Sequence, residues 1–233
     1  GCTGTPRSRA SRRAGAAATL RPPSPSRVTE SQRRRWLRRR SGVAASRQAV
    51  RPADLGQRRL LVIRPDHLGD LVLTGPALSV LRSELVDADI TLLVGPWSRS
   101  IAEILPGSPR VETLHFPWFD RRPKRWVWAP YRRLALAAAR LRGRFDAAII
   151  LRDDDWWSAL LARVARIPVS VGHAHSEVEP SLTHAAAPRY RHTAAGSVLL
   201  AYLTAGIESP PHPTPATHPV GLALSPDDHS AAR

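Results

Sequence analysis

Leu60-Leu61-Val62-Ile63-Arg64-Pro65-Asp66-His67-Leu68-Gly69-Asp70 is the stretch on which the reading of this chain turns. Four consecutive apolar residues after Arg58-Arg59 predict a short strand covered on both faces, because a half-exposed strand would alternate apolar and polar positions. A loop from Arg64 to Gly69 follows. From Asp70 to about Leu85, Leu71, Leu73, Ala77, Leu78 and Leu81 recur at close to helical spacing. Pro76 leaves two possibilities: a single turn that breaks before it, or a regular helix that starts at it, where its missing N–H costs nothing.

Working outward, Ile90 to Val94, Val111 to His115, Asp146 to Leu151 and Val169 to Gly172 read as further strands. Between them, Trp97 to Leu105, Tyr131 to Arg142, Trp156 to Arg166 and Ala195 to Ala205 read as helices, with Pro106-Gly107, Gly143 and Gly206 as stops. Short apolar strands alternating with amphipathic helices require crossover connections on both faces, so the expected class is α/β, a Rossmann-like doubly wound parallel sheet. No internal repeat is visible.

The basic character is concentrated outside this pattern. Residues 1–57 hold 14 Lys and Arg against 2 acids, a net +12, which leaves only +4 of the total +16 for the rest. This tail is mostly Arg, Ala, Ser, Pro and Gly without apolar periodicity, so it is expected to be disordered. Its densest run, Arg33-Arg34-Arg35-Trp36-Leu37-Arg38-Arg39-Arg40, could meet anionic lipid or nucleic acid, or be a basic tail without a role. Residues 58–207 form the expected folded domain, and 208–233, with Pro210, Pro211, Pro213, Pro215 and Pro219, a linker.

Cys2 is the only cysteine, which excludes an intrachain disulfide and a cysteine-based metal site and makes a reducing, cytoplasmic setting the simplest expectation. No stretch approaches the roughly 20 apolar residues of a membrane span. Arg12-Arg13 precedes an apolar run too short for an export signal. With no Met and a Gly at position 1, the chain is expected to be a fragment.

The corner Arg64 to Asp70 lacks both Gly-x-Gly-x-x-Gly and a P-loop Lys-Ser/Thr pair, so neither a dinucleotide nor ATP is expected there. The corner and the following Leu73-Thr74-Gly75-Pro76-Ala77-Leu78 instead resemble the opening strand, loop and helix of glycosyltransferase family 9, which includes the heptosyltransferases of lipopolysaccharide synthesis. A second block, Ala148-Ile149-Ile150-Leu151-Arg152-Asp153 through Trp157-Ser158-Ala159-Leu160-Leu161-Ala162 to Val171-Gly172, is similar to the family's fourth strand, helix and fifth strand. The resemblance implies one half of a GT-B fold, the acceptor-side domain. Leu222-Ala223-Leu224-Ser225-Pro226-Asp227-Asp228 looks like the approach to the second domain, which would bind a nucleotide-sugar donor of the ADP-heptose kind. No other cofactor is implied.

By the same resemblance, Asp70 falls on the general base of an inverting, metal-independent transfer, with Asp66, His67 and Gly69 beside it at the acceptor. A carboxylate suits the task, since it can take the acceptor hydroxyl's proton as the anomeric carbon is attacked. Read from the residues alone, Asp70 could equally cap the following helix; so could Asp66, which would leave Asp70 free. The stretch from Phe116 to Trp128 joins aromatic side chains to Arg121, Arg122, Lys124, Arg125 and Trp126. It resembles the loop through which these enzymes meet an anionic, lipid-linked acceptor; the alternative is a solvated charge run whose tryptophans pack the domain.

Asp153-Asp154-Asp155 reads as the acidic start of a helix rather than a metal-binding Asp-x-Asp, and His173 with His175 lack a third ligand, so no metal is assigned. Glu179-Pro180 stands where heptosyltransferases carry Arg-Glu-Pro, with Val178 in place of the Arg. The leading expectation is a glycosyltransferase of the cytoplasm, peripheral at the inner face of the cytoplasmic membrane, acting on a cell-envelope glycan. A non-catalytic membrane-surface or glycan-binding module and a tail-driven nucleic-acid binder are the alternatives, although the body shows no nucleic-acid motif.

Overall fold

The computed structural model describes residues 29, 32, 35, 59–107, 109–119, 128–186 and 193–206. The chain divides into two units, Gly1–Trp36 and Leu37–Arg233. In the first, Thr29 and Gln32 cap a helical turn reciprocally. The Gln32 side chain accepts from the Thr29 N–H at 2.9 Å, and Thr29 Oγ1 accepts from the Gln32 N–H at 3.4 Å. Thr-x-x-Gln is a capping box, a local signal that the compositional reading of the tail passed over. The rest of the basic run, Cys2 and the linker at 208–233 lie outside the described residues.

Among the described residues the second unit holds six strands: β1 (Arg59–Arg64), β2 (Asp89–Val94), β3 (Arg110–Thr113), β4 (Ala147–Ile150), β5 (Val169–His173) and β6 (His184–Ala186). All pair in parallel, in the order β3-β2-β1-β4-β5-β6. The helices are α1 (Leu68–Val72), α2 (Gly75–Glu84), α3 (Arg99–Glu103), α4 (Ala129–Leu141), α5 (Trp156–Val164) and α6 (Thr193–Ala205). β6 was not legible in the sequence because His184-Ala185-Ala186 carries no apolar run. Its place is set just before it, where Thr183 and Ser170 exchange side-chain and backbone hydrogen bonds of 2.7 to 3.1 Å.

β1 lies at the centre, and Leu60, Leu61, Val62 and Ile63 are fully buried. Burial at this level contributes roughly 1.5 to 3 kcal/mol for each large apolar side chain. Leu60 and Val62 face one core, which includes Leu78 and Leu81 of α2 and Val198 and Ala201 of α6. Leu61 and Ile63 face the other, formed with α4 and α5. The strand is therefore apolar at every position because both sides of the sheet are covered.

Two helices replace the long pattern after Asp70. Thr74 Oγ1 donates to the Leu71 carbonyl at 2.6 Å and closes α1, and α2 then starts with Pro76 in its first turn. Gly143 and Gly206 take positive φ at the ends of α4 and α6, as expected of stops.

The strand order fixes where a ligand can sit. From β1 the chain moves outward through β2 to β3, then returns to the other side of β1 as β4. The loops leaving β1 and β4 diverge to opposite faces, which opens a crevice at the carboxyl edge of the sheet. Those loops are Arg64 to His67 and Leu151 to Asp155.

Candidate active site

Asp70 is exposed in the first turn of α1, directly after the β1 corner. Its carboxylate makes no hydrogen bond or ion pair among the described residues, and no side chain caps α1, whose N-cap is His67. The capping alternative for Asp70 and for Asp66 thus finds no hydrogen bond. Gly69 beside it faces open space: a Cβ there would meet nothing within 4 Å. His67 is exposed, with its ring 5.6 Å from that of Trp97.

Asp66 takes a different position. It is 1% exposed, with Oδ2 2.5 Å from Arg64 Nε and Oδ1 paired to Arg152 Nη1. The Arg64 contact is close but misaligned for a hydrogen bond, leaving Arg64 Nε and Asp66 Oδ2 without one. Arg64 Nη1 also donates to the Leu151 carbonyl at 3.1 Å, joining the β1 corner to the β4 corner. Burial pulls the Arg64 guanidinium below its ordinary value; the charges of Asp66 and then Asp70 act against that shift. Asp66 therefore forms the wall behind the crevice, while Asp70, His67 and Gly69 form its surface.

Arg152 lies across the crevice floor. It pairs with Asp154, Nη2 donating at 3.0 Å, and its guanidinium stands 5.1 Å from the centre of the Phe119 ring. The hydrogen bonds with Asp154 raise the Arg152 pKa and lower that of Asp154. The three consecutive aspartates then diverge. Asp153 is exposed, Asp154 is held by Arg152, and Asp155 is a buried N-cap of α5 that accepts from the Ser158 N–H at 3.0 Å. Burial pushes the Asp155 carboxyl up to about 6, against the hydrogen bonds from Ser158. Among the described residues no group of three or more His, Cys, Asp or Glu is placed to hold a metal ion. His175 is exposed, whereas His173 is buried at the end of β5, where burial lowers its pKa.

The β2 corner completes the crevice and was missed in the sequence. Trp97 Nε1 and Ser98 Oγ both donate to the Asp66 carbonyl, at 3.2 and 2.9 Å. Gly95 makes room for this: a Cβ there would fall 2.1 Å from the Trp97 indole. A glycine closing an apolar strand before Pro-Trp was the available signal, since it marks a close approach.

Of the aromatic stretch, Phe116 is buried in the core and packs edge-on against Trp157. Trp118 remains 40% exposed, its ring 4.8 Å from that of Trp156. For these two the packing and surface readings both apply. Arg121, Arg122, Lys124, Arg125 and Trp126 lie outside the described residues.

No protein-family model matches the chain, and no curated protein matches it significantly. Solved structures do. A glycosyl transferase family 9 protein from Veillonella parvula superposes with a TM-score of 0.53 at 23% identity, over 64% of this chain and 42% of that one. The E. coli ADP-heptose lps heptosyltransferase II gives 0.53 at 20% identity, over 74% and 49%. The E. coli heptosyltransferase WaaC with ADP gives 0.51 at 21% identity, over 66% and 49%. The chain has the fold of one lobe of a heptosyltransferase. It spans about half the length of these solved structures. The likeness to glycosyltransferase family 9 enzymes first read from two motifs thus extends, as a likeness of fold, over 64 to 74% of the chain, and Asp70 and Arg152 occupy the two corners that those motifs mark.

Proposed function

We propose that this chain is the acceptor-side, amino-terminal lobe of an inverting glycosyltransferase, with Asp70 as its general base. The observation that carries the reading is the exposed Asp70 carboxylate at the switch point, beside an open surface over Gly69 and backed by a buried ion-pair wall. The acceptor hydroxyl oxygen attacks the anomeric carbon of the donor while its proton passes to Asp70. The nucleoside diphosphate departs from the opposite face with the electrons of the broken bond, which inverts the anomeric centre. The transfer is proposed to be metal-independent; Asp154 is taken by Arg152 and Asp155 by the Ser158 N–H, so these two do not share one open face.

The donor is proposed to be an ADP-heptose-like sugar nucleotide held mainly by a second lobe. The acceptor is an anionic, lipid-linked envelope glycan that meets Arg121, Arg122, Lys124, Arg125 and Trp126 at the inner face of the cytoplasmic membrane. No helix among the described residues is long and apolar enough to cross a membrane, which leaves contact with the lipid peripheral in this reading. One lobe supplies one side of the cleft, so the chain by itself is expected to show no turnover with sugar nucleotide.

Asp70→Asn in an enzyme containing both lobes tests the role of the base. It is expected to lower kcat about 10²- to 10⁴-fold, the usual worth of a positioned base, with the thermal midpoint unchanged. Near-normal turnover would remove Asp70 from the chemistry.

A further inference from the structure

Asp66 is held from three elements at once, and nothing yet assigned to it requires this. Its carboxylate lies between Arg64 of β1 and Arg152 of the β4 corner, while its carbonyl accepts from Trp97 and Ser98 of the β2 corner. The two arginines are fixed in turn, Arg64 on the Leu151 carbonyl and Arg152 on Asp154 and the Phe119 ring. A buried carboxylate between guanidinium groups is seldom the most stable way to fill such a space, because each charge gives up its hydration. What it supplies is a defined geometry.

That geometry is needed one residue later. α1 has five residues, follows His67, whose side chain makes no capping hydrogen bond, and carries Asp70 in its first turn. A helix of this length does not hold itself in water. It is held by the buried Leu71 side chain, by packing against α3, by the Thr74 hydroxyl on the Leu71 carbonyl at its end, and at its start by the His67–Trp97 ring contact and the peptide that leaves Asp66. Leu71 and α3 fix which side of α1 faces inward; the start of the helix leaves the sheet at Asp66.

We infer that Asp66 is a positioning residue: through Arg64, Arg152, Trp97 and Ser98 it fixes the start of α1 and thereby holds the Asp70 carboxylate at the switch point. This rests on the reading of Asp70 as the base for its catalytic meaning, but the mechanical coupling stands apart from it. Asp66 itself lies behind the surface and is not expected to touch a ligand.

Amide hydrogen exchange on the full chain tests the coupling without substrate or turnover. In Arg152→Gln, which leaves the Arg64–Asp66 pair in place, the amides of Leu71, Leu73 and Thr74, which donate to the His67, Gly69 and Leu71 carbonyls in and around α1, are expected to exchange at least tenfold faster, while those of Leu61 and Ile63 in β1 change by less than threefold. Asp66→Asn should give the same pattern more strongly, and Ser98→Ala more weakly. Arg152→Lys, which keeps the charge, should recover part of the protection. If Asp66→Asn does not fold, Arg152→Gln decides. Exchange that rises equally in α1 and β1, or in neither, overturns the proposal and leaves a purely structural ion pair. If α1 loosens as expected while Asp70→Asn retains turnover in a two-lobed enzyme, the coupling holds and the assignment of the base fails. If both hold, Arg152→Gln in that enzyme should lower kcat with KM nearly unchanged.

Discussion

The two ends of the β1–β4 ladder use the same chemistry for opposite purposes. At the amino end, Arg59 pairs with Asp146: the backbone N–H donates at 3.0 Å and Nη2 at 2.9 Å, with the arginine half exposed. At the carboxyl end, Asp66 meets Arg64 almost wholly out of water, and the partly exposed Arg152 closes on it from the β4 corner. The first is a clip on a ladder that its own apolar residues already hold together. The second sits where the sheet opens to form a crevice, and there geometry rather than apolar packing has to be specified. Deleting one partner should separate them sharply. Asp66→Asn leaves Arg64 buried with its largest compensating charge gone, and a loss of about 3 to 5 kcal/mol in unfolding free energy is expected from urea titration. A loss below about 1 kcal/mol would mean that the carboxyl-end network behaves like the exposed clip.

The next largest effect depends on pH and comes from the other buried carboxylate at that end. Asp155 has no guanidinium of its own, only the Ser158 N–H, so burial raises its folded pKa to about 6 from 3.8. A raised carboxyl pKa means that the folded state holds the proton more tightly than the unfolded state does. Its stabilising contribution is therefore full below about pH 4 and is lost as pH rises through 6. The loss is about 3 kcal/mol for a shift of this size. Asp155→Asn keeps an oxygen for the Ser158 N–H but has no proton to release. Its unfolding free energy should fall less than that of the native chain between pH 4 and 7, by about that amount; parallel curves would show that Asp155 titrates normally. Back at the amino end, Asp146→Asn should cost only about 0 to 1 kcal/mol, as exposed pairs do, and 0.5 M salt should shrink even that difference.

The same contrast shows what could be read before the structure. The strands that carry the fold were legible because β1 holds the apolar run Leu60 to Ile63, β2 Ile90 to Val94 with only Thr91 interrupting it, and β4 Ala147 to Ile150, the pattern a parallel sheet covered on both faces writes into the chain, with β5 following as the shorter Val169-Ser170-Val171. Asp70 was legible as a candidate because its corner follows the first such run. The roles of Arg64, Arg152, Trp97 and Ser98 were not, since the partners that tie the corners together, Leu151 for Arg64 and Asp66 for the other three, lie between 31 and 87 residues away and only strand order brings them together. Asp66 looked like Asp70 in sequence: both are polar residues in one short loop, and only the change from buried to exposed between Asp66 and His67 separates the wall from the surface. β6 escaped for a related reason, because its pairing is fixed by hydroxyl groups rather than by apolar content.

The smallest effect on stability is expected at the surface itself, and it bears most directly on whether that surface is used. Gly95 and Gly69 close neighbouring corners, but for different reasons. At Gly95 the protein needs the space, since the Trp97 indole occupies it. At Gly69 nothing among the described residues does: the site is open to them, and the residue lies in α1, where alanine is the better helix former. Gly69→Ala should therefore leave stability unchanged or raise it by up to about 1 kcal/mol in thermal or urea unfolding. If a ligand approaches the α1 backbone there, the added methyl must meet it, and in a two-lobed enzyme KM for the acceptor should rise several-fold with kcat less affected. An alanine variant that is as stable as the native chain and turns over with unchanged KM would show that the acceptor stays clear of this corner, and would confine its contacts to Asp70 and the walls beyond it.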